Sequence, residues 1–465
     1  MNSFTNITYD EIEVGRSESV SRRLSQTEVE ALALVSGDID KFHLENDSDA
    51  VSGDGAFAKA VGAEALVTGV LCRRLPGPGT TVLSQSLEFS GMIRAGDKLT
   101  ATVTVVEKRT DNNVVVFDCR VSRGEESIVT GTATVQAPVE RISYSSVATP
   151  NMILRRNDSF AKMLEQCKGL PSTFCAVVHP CDRDSLLGPL EAYKMGLIEP
   201  VLVGPEAKIR AVAAAEGVDL SPFRIESTEH SHAAAERAVE MARAGEVESI
   251  MKGSLHTDEL LGAVVSSSKG LRTARRMSHV FVLDVPAYPR TLFITDAAIN
   301  IYPDLMVKAD IVQNAIELAR DLGIETPKVA ILSAVETINP KIPSTVDAAT
   351  LCKMADRGQI KGGMLDGPLA FDNAINLEAA KTKGIVSDVA GLADILVAPD
   401  LEAGNMIAKQ LQYLAGADSA GIVLGTRVPI VLTSRADTVR TRLASVAVMS
   451  LVANARRTGQ NSTGV

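Results

Sequence analysis

The chain has 465 residues, of which 45% are hydrophobic, and it carries a formal net charge of −10 at pH 7. This length is too great for one hydrophobic core, so we expect roughly two to four domains. The acidic balance excludes a general nucleic-acid-binding protein, and no apolar run approaches the roughly 18 residues that span a membrane.

The N-terminus and the cysteines give expectations about the cellular compartment. The first residues lack the basic region and the apolar core of a secretory signal. The six cysteines are scattered without Cys-x-x-Cys spacing, which disfavours a disulfide framework and a zinc site. We therefore expect a cytoplasmic protein with reduced thiols, without contacts to membranes or nucleic acids.

The first third of the sequence predicts helices followed by strands. Ser25-Gln-Thr-Glu28 is a capping-box pattern that opens a helix running towards Val35. A second, strongly apolar helix is predicted at 55–75, and Pro76-Gly-Pro-Gly79 ends it. Strand patterns follow at 81–89, 99–107, 114–121 and 127–136. This order predicts a sheet wrapped around a helix.

A polar loop between the two helices carries an aspartate and a histidine, Asp38 and His43. With Leu75-Pro-Gly-Pro-Gly79 and Gly96-Asp97, this loop resembles the MaoC-like, R-specific enoyl-CoA hydratases, which are hot-dog folds, over residues 10–137. The resemblance implies that Asp38 and His43 activate the water that adds across an enoyl double bond. A carboxylate and an imidazole close together are suited to that task. On the residues alone, both side chains could instead serve as turn formers.

Two positions depart from the hydratase pattern. Asp40-Lys41 stands where the family usually has Asn-Pro. Glu64 stands near the place where a glycine amide of the family holds the thioester oxygen. A carboxylate beside a developing oxyanion would oppose its stabilisation, unless the side chain points away and only the backbone amide is used. The alternative is a hot-dog module that is kept for CoA binding or dimerisation.

The segment 138–157 has two prolines and no clean periodicity, and we predict that it is a linker. After it, strand and helix patterns alternate, which predicts βαβ units and a mostly parallel sheet with sites at the carboxyl ends of the strands. The predicted helices are 158–169, 189–195, 207–216 and 232–244, and the predicted strands are 174–178, 200–203, 249–251, 279–285, 329–333, 394–398, 421–425 and 429–433.

Polar residues follow several of these predicted strands. Lys252, Gly253, His256 and Thr257 lie between a strand and a helix, where the glycine lets the backbone approach a ligand and the lysine and threonine are candidate phosphate contacts. Similar polar turns contain Asp296 with Asn300, then Asn373, then Asn405. Each turn alone is most simply a structural turn. Together they predict residues that share one cleft.

The strongest anion-binding pattern comes near the C-terminus. In Pro429-Ile-Val-Leu-Thr-Ser434-Arg435-Ala-Asp437 an apolar strand stops at a hydroxyl, an arginine and a carboxylate, and a helix follows. A helix N-terminus favours anions, and a guanidinium matches phosphate oxygens. An ordinary helix cap followed by a surface arginine is the alternative. The pattern predicts a site that handles phosphate.

Several motifs of the second part match one family. They are Lys252-Gly-Ser-Leu-His-Thr257, Thr295-Asp-Ala-Ala-Ile-Asn300, Gly367-Pro-Leu-Ala-Phe-Asp-Asn373, Pro399-Asp-Leu-Glu-Ala-Gly-Asn405 and Thr433-Ser-Arg-Ala-Asp437. Over residues 155–457 the chain resembles the phosphate acetyltransferase/phosphate butyryltransferase family. The fusion resembles bifunctional enoyl-CoA hydratase/phosphate acetyltransferases. The implied fold is an α+β hot-dog domain followed by a two-subdomain α/β acyltransferase domain.

The resemblance also implies domain limits and substrates. The acyltransferase domain is expected at 158–465, with subdomain 1 at 158–290 plus 436–465 and subdomain 2 at 291–435. Acyl-CoA and inorganic phosphate are expected in the cleft between the subdomains, with no tightly bound cofactor. We found no His/Asp/Glu set with metal-ligand spacing and therefore expect no metal. Members are commonly dimeric, so a homo-oligomer is expected.

We assign roles to the C-terminal motif residues on this basis. Arg435 is expected to bind phosphate, and Ser434 to hydrogen-bond the CoA sulfur or the oxyanion. Asp437 is a candidate base or a helix cap. Lys252, Gly253, His256, Thr257, Asp296, Asn300, Asn373 and Asn405 are expected to bind substrate. Catalysis would be direct transfer of the acyl group to phosphate, with acetyl and butyryl both open as the acyl group.

Alternatives remain open for the acyl group that is transferred and for the class of function. Acetyl-type members commonly have an arginine where Leu261-Gly262 stands, and often an aspartate where Thr441 stands. The segments 334–340 and 343–347 look more like the butyryl-type branch. The alternative functions are a non-catalytic CoA-binding or scaffold protein and a metal-dependent β-decarboxylating dehydrogenase-like enzyme.

Overall fold

The computed structural model describes residues 3–36, 57–58, 60–91, 93–94, 96–145, 159–433 and 437–459. It divides into two compact units, Met1–Leu154 and Arg155–Val465. The division falls inside the segment 138–157 that we expected to be a linker. Within the described ranges, no helix is both long and apolar enough to cross a membrane.

The first unit has nine strands and two α-helices among its described residues. The strands are β1 (Ser3–Thr5), β2 (Ser17–Arg23), β3 (Phe57–Ala58), β4 (Thr81–Phe89), β5 (Ile93–Arg94), β6 (Lys98–Arg109), β7 (Val114–Arg123), β8 (Glu126–Gln136) and β9 (Ser143–Ser145). The helices are α1 (Gln26–Ser36) and α2 (Ala60–Arg73). The four strands that we predicted correspond to β4, β6, β7 and β8, and the apolar helix to α2.

The core of the first unit lies between α2 and a five-stranded sheet. The strand order is β2-β6-β7-β8-β4 and every pairing is antiparallel. Along β6 the side chains of Leu99, Ala101, Val103 and Val105 are buried on one face, as period-two alternation requires. Helix α2 packs across this sheet with Val67, Val70 and Leu71 buried. The prediction of a sheet packed around one helix is confirmed.

Two predicted boundaries in the first unit were wrong. The helix expected at 55–75 is shorter, since Phe57–Ala58 pairs with β5 and α2 begins only at Ala60. The expected linker begins too early, because β9 (Ser143–Ser145) pairs with β1 and therefore belongs to the first unit. Short strands of three residues leave no periodicity to detect in a sequence.

The second unit alternates strands and helices as predicted. The strands are β10 (Thr173–Val178), β11 (Ile198–Gly204), β12 (Arg224–Ser227), β13 (Ser249–Lys252), β14 (Ser278–Asp284), β15 (Leu292–Thr295), β16 (Lys328–Leu332), β17 (Met364–Leu369), β18 (Ile395–Val397), β19 (Asp418–Leu424) and β20 (Ile430–Val431). The helices are α3 (Ser159–Cys167), α4 (Arg183–Lys194), α5 (Glu206–Ala215), α6 (Ser231–Ala244), α7 (Thr257–Val264), α8 (Leu305–Asp321), α9 (Pro343–Asp356), α10 (Phe371–Ile375), α11 (Leu377–Thr382), α12 (Leu401–Tyr413) and α13 (Val439–Thr458).

All eleven strands form one continuous sheet, in the order β12-β11-β10-β13-β20-β19-β14-β15-β18-β16-β17. Seven of the ten pairings among these described strands are parallel. The other three, β20-β19, β19-β14 and β14-β15, are antiparallel. The predicted mostly parallel sheet is observed, with an antiparallel centre that the sequence did not indicate.

The antiparallel centre reverses the direction of the second half of the sheet. Three successive reversals separate β20 from β15, so β15, β16, β17 and β18 run opposite to β10, β11, β12, β13 and β20. The carboxyl ends of the two sets therefore face in opposite directions. We call the edge at the carboxyl end of β13 the lysine edge, after Lys252. We call the edge at the carboxyl end of β15 the asparagine edge, after Asn300.

The two faces of this sheet are packed differently. On one face, buried side chains from β10 through β18 form a single cluster with α8 and α13. On the other face there are two clusters, one from the β10–β13 half with α6 and α7 and one from the β15–β18 half. On β14 and β19 this second face also carries His279, Phe281, Ser419 and Gly421, of which Phe281 packs against the cluster of the β15–β18 half. We call these four residues the seam.

Near its C-terminus the chain returns to the half of the sheet that contains β10 to β13. Strand β20 pairs with β13, and α13 then packs against α3, α4 and β19. Helix α13 is well bounded, because the Thr438 hydroxyl accepts from the Thr441 N–H and Gly459 ends it with φ of 70°. This return places Thr433, which follows β20, beside the carboxyl end of β13.

Candidate active site

At the lysine edge, the ends of β13 and β20 are joined by a buried ammonium group. Lys252 is 3% exposed, and its Nζ lies 3.4 Å from the Thr433 carbonyl oxygen and 3.5 Å from that of Gly253. Burying an ammonium group is costly unless acceptors surround it. Lys252 therefore ties the first motif of the second unit to the strand end that leads into the last one.

Backbone packing fixes the turn that follows Lys252. A Cβ added at Gly253 would lie 2.4 Å from the Val178 carbonyl oxygen and 2.8 Å from that of His179, so only glycine fits there without a shift. The Gly253 N–H donates to the Val178 oxygen, and the Ser254 N–H donates to the His179 oxygen. The carboxyl ends of β10 and β13 are thus locked together beneath the turn.

The remaining predicted residues of this turn lie at the start of α7. His256 is at the N-cap position but makes no side-chain cap hydrogen bond, and its side chain is exposed. Thr257 is the first helical residue and is half-buried. The free N–H groups of the first turn point towards the lysine edge, which is the arrangement that favours an anion. Lys252, Gly253, His256 and Thr257 are therefore brought together.

The predicted catalytic pair Ser434 and Arg435 lies outside the described residues. The residues on either side are described, and both are buried: Thr433 and Asp437. Thr433 accepts a hydrogen bond from Arg442, at 2.9 Å, in addition to the contact of its carbonyl with Lys252. The strand end that precedes Ser434 is thus held through both its side chain and its backbone.

A second group of predicted residues lies at the asparagine edge. The Asp296 carboxylate accepts the N–H groups of Ala298, Ile299 and Asn300, and Asn300 Nδ2 donates to it at 2.6 Å. Asn405 Nδ2 donates to the Ala297 oxygen at 2.9 Å. Burial raises the pKa of Asp296, while these hydrogen bonds oppose the rise. Asp296, Asn300 and Asn405 therefore form one hydrogen-bonded cluster.

That these residues share one cleft with Lys252 stays a prediction. Met251 and Thr295 lie in one row across the sheet, through Val431, Ile422 and Val280. Lys252 and Asp296 each follow this row by one residue, on strands that run in opposite directions and lie four strand spacings apart, about 19 Å. Asn373 joins neither group by its side chain, which is fully buried and has no hydrogen-bond partner on either polar atom among the described residues. Their roles in binding remain predictions.

The sequence did not single out the seam residue His279. Its ring is 1% exposed, stacks edge-on against Phe281 and forms a hydrogen bond with the Leu432 backbone. A Cβ at Gly421 would lie 3.1 Å from its Nε2, so this glycine makes room for the ring. A histidine inside an apolar strand was the available signal. Burial lowers the pKa of His279 to about 4.

This buried histidine should make the second unit acid-sensitive. Its ordinary pKa is 6.5 and its folded value is about 4, so between these values the unfolded chain binds a proton that the folded chain does not. The folded state then loses up to about 3 kcal/mol as the pH falls from 6.5 to 4. Between pH 7 and pH 4.5 the melting temperature of wild type should fall more steeply than that of His279→Gln, so that the two values converge. Parallel pH profiles of the two proteins would contradict this.

Helix α12 adds a cation beside the seam. Lys409 Nζ lies 5.9 Å from the ring centroid of Phe281 and 5.6 Å from that of Tyr413. Gln412 Nε2 donates to Ser419 Oγ at 3.0 Å. The polar side chains at the seam thus come from helix α12 and from the central strands β14 and β19. In the sequence Lys409 resembles an ordinary surface charge of an amphipathic helix, so no sequence pattern indicated its position beside the seam.

In the first unit the predicted catalytic residues Asp38 and His43 lie outside the described residues. Glu64 is described, and its side chain is exposed whereas that of its neighbour Ala63 is fully buried. The carboxylate thus points away from the core of the unit. Within the described ranges, no group of three or more His, Cys, Asp or Glu residues could hold a metal ion.

Comparison with known proteins identifies the second unit. Residues 226–450 match the family model described as phosphate acetyl/butaryl transferase. A phosphate acetyltransferase of Rhizobium meliloti is 66% identical over 284 residues, which are 61% of this chain and 90% of that protein. The chain belongs to the phosphate acetyl/butyryl transferase family. The predicted activity of a phosphate acyltransferase is confirmed by this membership.

Two further members of this family agree with the identification. A phosphate butyryltransferase of Clostridium acetobutylicum is 44% identical over 295 residues, 63% of this chain and 98% of that protein. The crystal structure of a branched-chain phosphotransacylase from Enterococcus faecalis V583 covers 60% of this chain and 99% of its own, with a TM-score of 0.53 and 29% identity. The fold of the acyltransferase unit therefore matches a solved phosphotransacylase.

Proposed function

We propose that the second unit transfers an acyl group between CoA and inorganic phosphate at the lysine edge. An oxygen of phosphate bonds to the thioester carbonyl carbon, and the C–S bond breaks with its electron pair on sulfur. The CoA sulfur then takes up the proton that phosphate releases. Phosphate is itself the nucleophile, so the protein holds the two substrates together and stabilises the oxyanion and the departing thiolate.

The single observation that carries this proposal is the contact of Lys252 Nζ with the Thr433 carbonyl oxygen, at 3.4 Å. It brings the Lys252–Thr257 turn to the residue that directly precedes Ser434 and Arg435. The N-terminus of α7 and the Lys252 side chain then belong to the edge at which β20 ends. We assign Arg435 and Thr257 to phosphate, Ser434 to the CoA sulfur or the oxyanion, and Asp437 to a base or a cap.

Lys252 receives a narrower role than the sequence suggested. Lys252 is 3% exposed as a residue, and its ammonium group already faces two carbonyl oxygens. We therefore assign it to fixing the strand end and adding positive charge there, rather than to a direct bond with phosphate. Asp296, Asn300 and Asn405 line the other edge, and we assign them to shaping the second half of the binding cleft.

The acyl group is proposed to be acetyl. The relative named phosphate acetyltransferase is 66% identical, whereas the one named phosphate butyryltransferase is 44% identical. The purified chain should release thiol from acetyl-CoA in the presence of phosphate, faster than from butyryl-CoA. Faster release from butyryl-CoA would reverse the choice of acyl group. Absence of phosphate-dependent release from both would favour a non-catalytic CoA-binding protein.

For the first unit we propose a hot-dog fold with enoyl-CoA hydratase activity through Asp38 and His43. The support is the antiparallel five-stranded sheet packed around α2, together with the outward-pointing Glu64. With the carboxylate directed away, the backbone amide near Glu64 can serve the thioester oxygen. A module that only binds CoA or dimerises is the alternative.

Crotonyl-CoA tests the hydratase proposal directly. The enoyl absorbance should fall with wild type, and it should stay constant with Asp38→Asn or His43→Gln, since either change removes the proton acceptor or donor. Both variants should keep phosphate-dependent thiol release, because they lie in the other unit. Loss of enoyl absorbance with both variants at the wild-type rate would exclude these residues.

We also infer a homo-oligomer. Tyr413 at the end of α12 and the following Leu414 are 65% and 84% exposed, although both are large and apolar. Exposed apolar side chains at one helix end are typical of a protein contact. Light scattering coupled to gel filtration should give a mass that is a multiple of 49.2 kDa. Leu414→Lys should shift this mass towards that of the single chain.

A further inference from the structure

A buried guanidinium lies behind the strand end that leads to the proposed catalytic residues. Arg442 in α13 is 2% exposed and has the largest of the fully buried side chains that the structure describes. Its Nη1 donates to Thr433 Oγ1 at 2.9 Å. A buried guanidinium without charge and hydrogen-bond partners would be strongly destabilising. The fold must therefore supply partners, and these partners show what the arginine holds in place.

The charges of three carboxylates act on this guanidinium. Asp182, Asp437 and Asp184 favour its charged form against the burial that lowers the pKa of Arg442. Asp182 caps α4 by accepting the Ser185 N–H at 2.8 Å. Burial opposes ionisation of Asp182, but hydrogen bonds from Ser254 and Ser185 and the charge of Arg442 keep its pKa below the ordinary value. A charged network thus links α4, α13 and the residues that flank 434–436.

The aliphatic part of the Arg442 side chain is closely packed against helix α4. A Cβ added at Gly188 of α4 would lie 3.0 Å from Arg442 Cδ and 3.1 Å from its Cβ. The glycine therefore lets α4 come into direct contact with the arginine stem, and such close packing leaves it little rotamer freedom.

We propose that Arg442 is a positioning residue for phosphate acyl transfer. It holds the Thr433 hydroxyl, while Lys252 holds the carbonyl of the same residue. Its charge also acts on Asp437, the first described residue after 434–436. Arg442 thereby sets the position of the chain on both sides of Ser434 and Arg435, without contacting substrate itself. The inference rests on the proposed function of that segment.

Steady-state kinetics of three variants test this role. Thr433→Val removes the acceptor at nearly constant volume, Arg442→Lys keeps a charge without the guanidinium, and the double variant combines both changes. Each single change should lower kcat/KM for phosphate about tenfold, within the ~100-fold that a 1 Å misplacement costs. The double variant should lose no more than the worse single one, because both changes break the same hydrogen bond.

A matched control comes from the far end of the same helix. Arg457 forms an ion pair with Glu248 at 2.5 Å, so Arg457→Met should lower the melting temperature and leave kcat and KM unchanged. Folded Thr433→Val and Arg442→Lys proteins with wild-type kinetics would overturn the proposal, and so would losses that multiply in the double variant. Failure of the proposed function itself is distinct, because the wild-type chain would then show no phosphate-dependent thiol release.

Discussion

Arg435→Ala should lower kcat/KM for phosphate by about 10- to 100-fold and leave the fold intact. A charge-assisted hydrogen bond contributes about 1.5–3 kcal/mol, and each 1.4 kcal/mol is roughly a factor of ten. In the sequence Arg435 lies two residues after Thr433 and two residues before Asp437, and both of these flanking residues are buried. Phosphate-dependent thiol release from acetyl-CoA, measured over a range of phosphate concentrations, gives the constants.

Arg440→Ala is the matched control for this variant. Arg440 lies five positions further on, and its side chain is 58% exposed in the ion pair that it forms with Asp418, at 2.9 Å. Exposed pairs contribute little to stability, so both the melting temperature and the kinetics should stay close to wild type. Equal effects of Arg435→Ala and Arg440→Ala, or wild-type phosphate kinetics for Arg435→Ala, would remove Arg435 from the phosphate site.

Gly253→Ala should destabilise the second unit and lower its activity together. The added methyl group would meet two backbone oxygens, of Val178 and His179, at 2.4 and 2.8 Å. Backbone atoms cannot yield as a flexible side chain can, so the turn carrying Lys252 and Thr257 must shift. Overpacking of this kind costs about 1–3 kcal/mol. Thermal unfolding and phosphate-dependent thiol release of the same preparation measure both effects.

Gly262→Ala tests whether the effect depends on position. Gly262 lies within α7, nine residues further along the chain, and nothing lies within 4 Å of a Cβ added there. Alanine in a helix interior is favoured over glycine by about 0.5–1 kcal/mol. This variant should therefore be as stable as wild type or more so, with unchanged kinetics. A Gly253→Ala protein that behaves like Gly262→Ala would show that the turn tolerates a side chain.

Much of the secondary structure could be predicted because the burial of one face of a strand or helix makes apolar residues recur at regular intervals in the sequence. The alternation of Leu99, Ala101, Val103 and Val105 gave β6, and the apolar run before Thr433 gave the end of β20. Strand β12 (Arg224–Ser227) was missed, since this edge strand alternates charged and apolar residues without being buried. Strand β17 (Met364–Leu369) was missed because Gly367 and Pro368 resemble a turn.

The arrangement of the candidate site was less predictable than its residues. Strand direction depends on pairing between distant segments, so the antiparallel pair β14 and β19 left no local signal. Because of that pair, the strand that leads to Asp296 runs opposite to the strand that leads to Lys252. Arg442 and His279 were overlooked for a related reason. An arginine in the second turn of a helix is usually a surface residue, and only the fold shows that this one is buried.

The continuous ladder across both halves of the second unit limits how a substrate could draw them together. Five neighbouring strands, β13, β20, β19, β14 and β15, are hydrogen-bonded edge to edge from one half to the other. A hinge rotation of one half relative to the other would break backbone hydrogen bonds between these strands. Movement on ligand binding must instead be spread as a small change of twist over these strands, with the helices carried along. Amide exchange in β14 and β19 should accordingly stay slow with and without CoA.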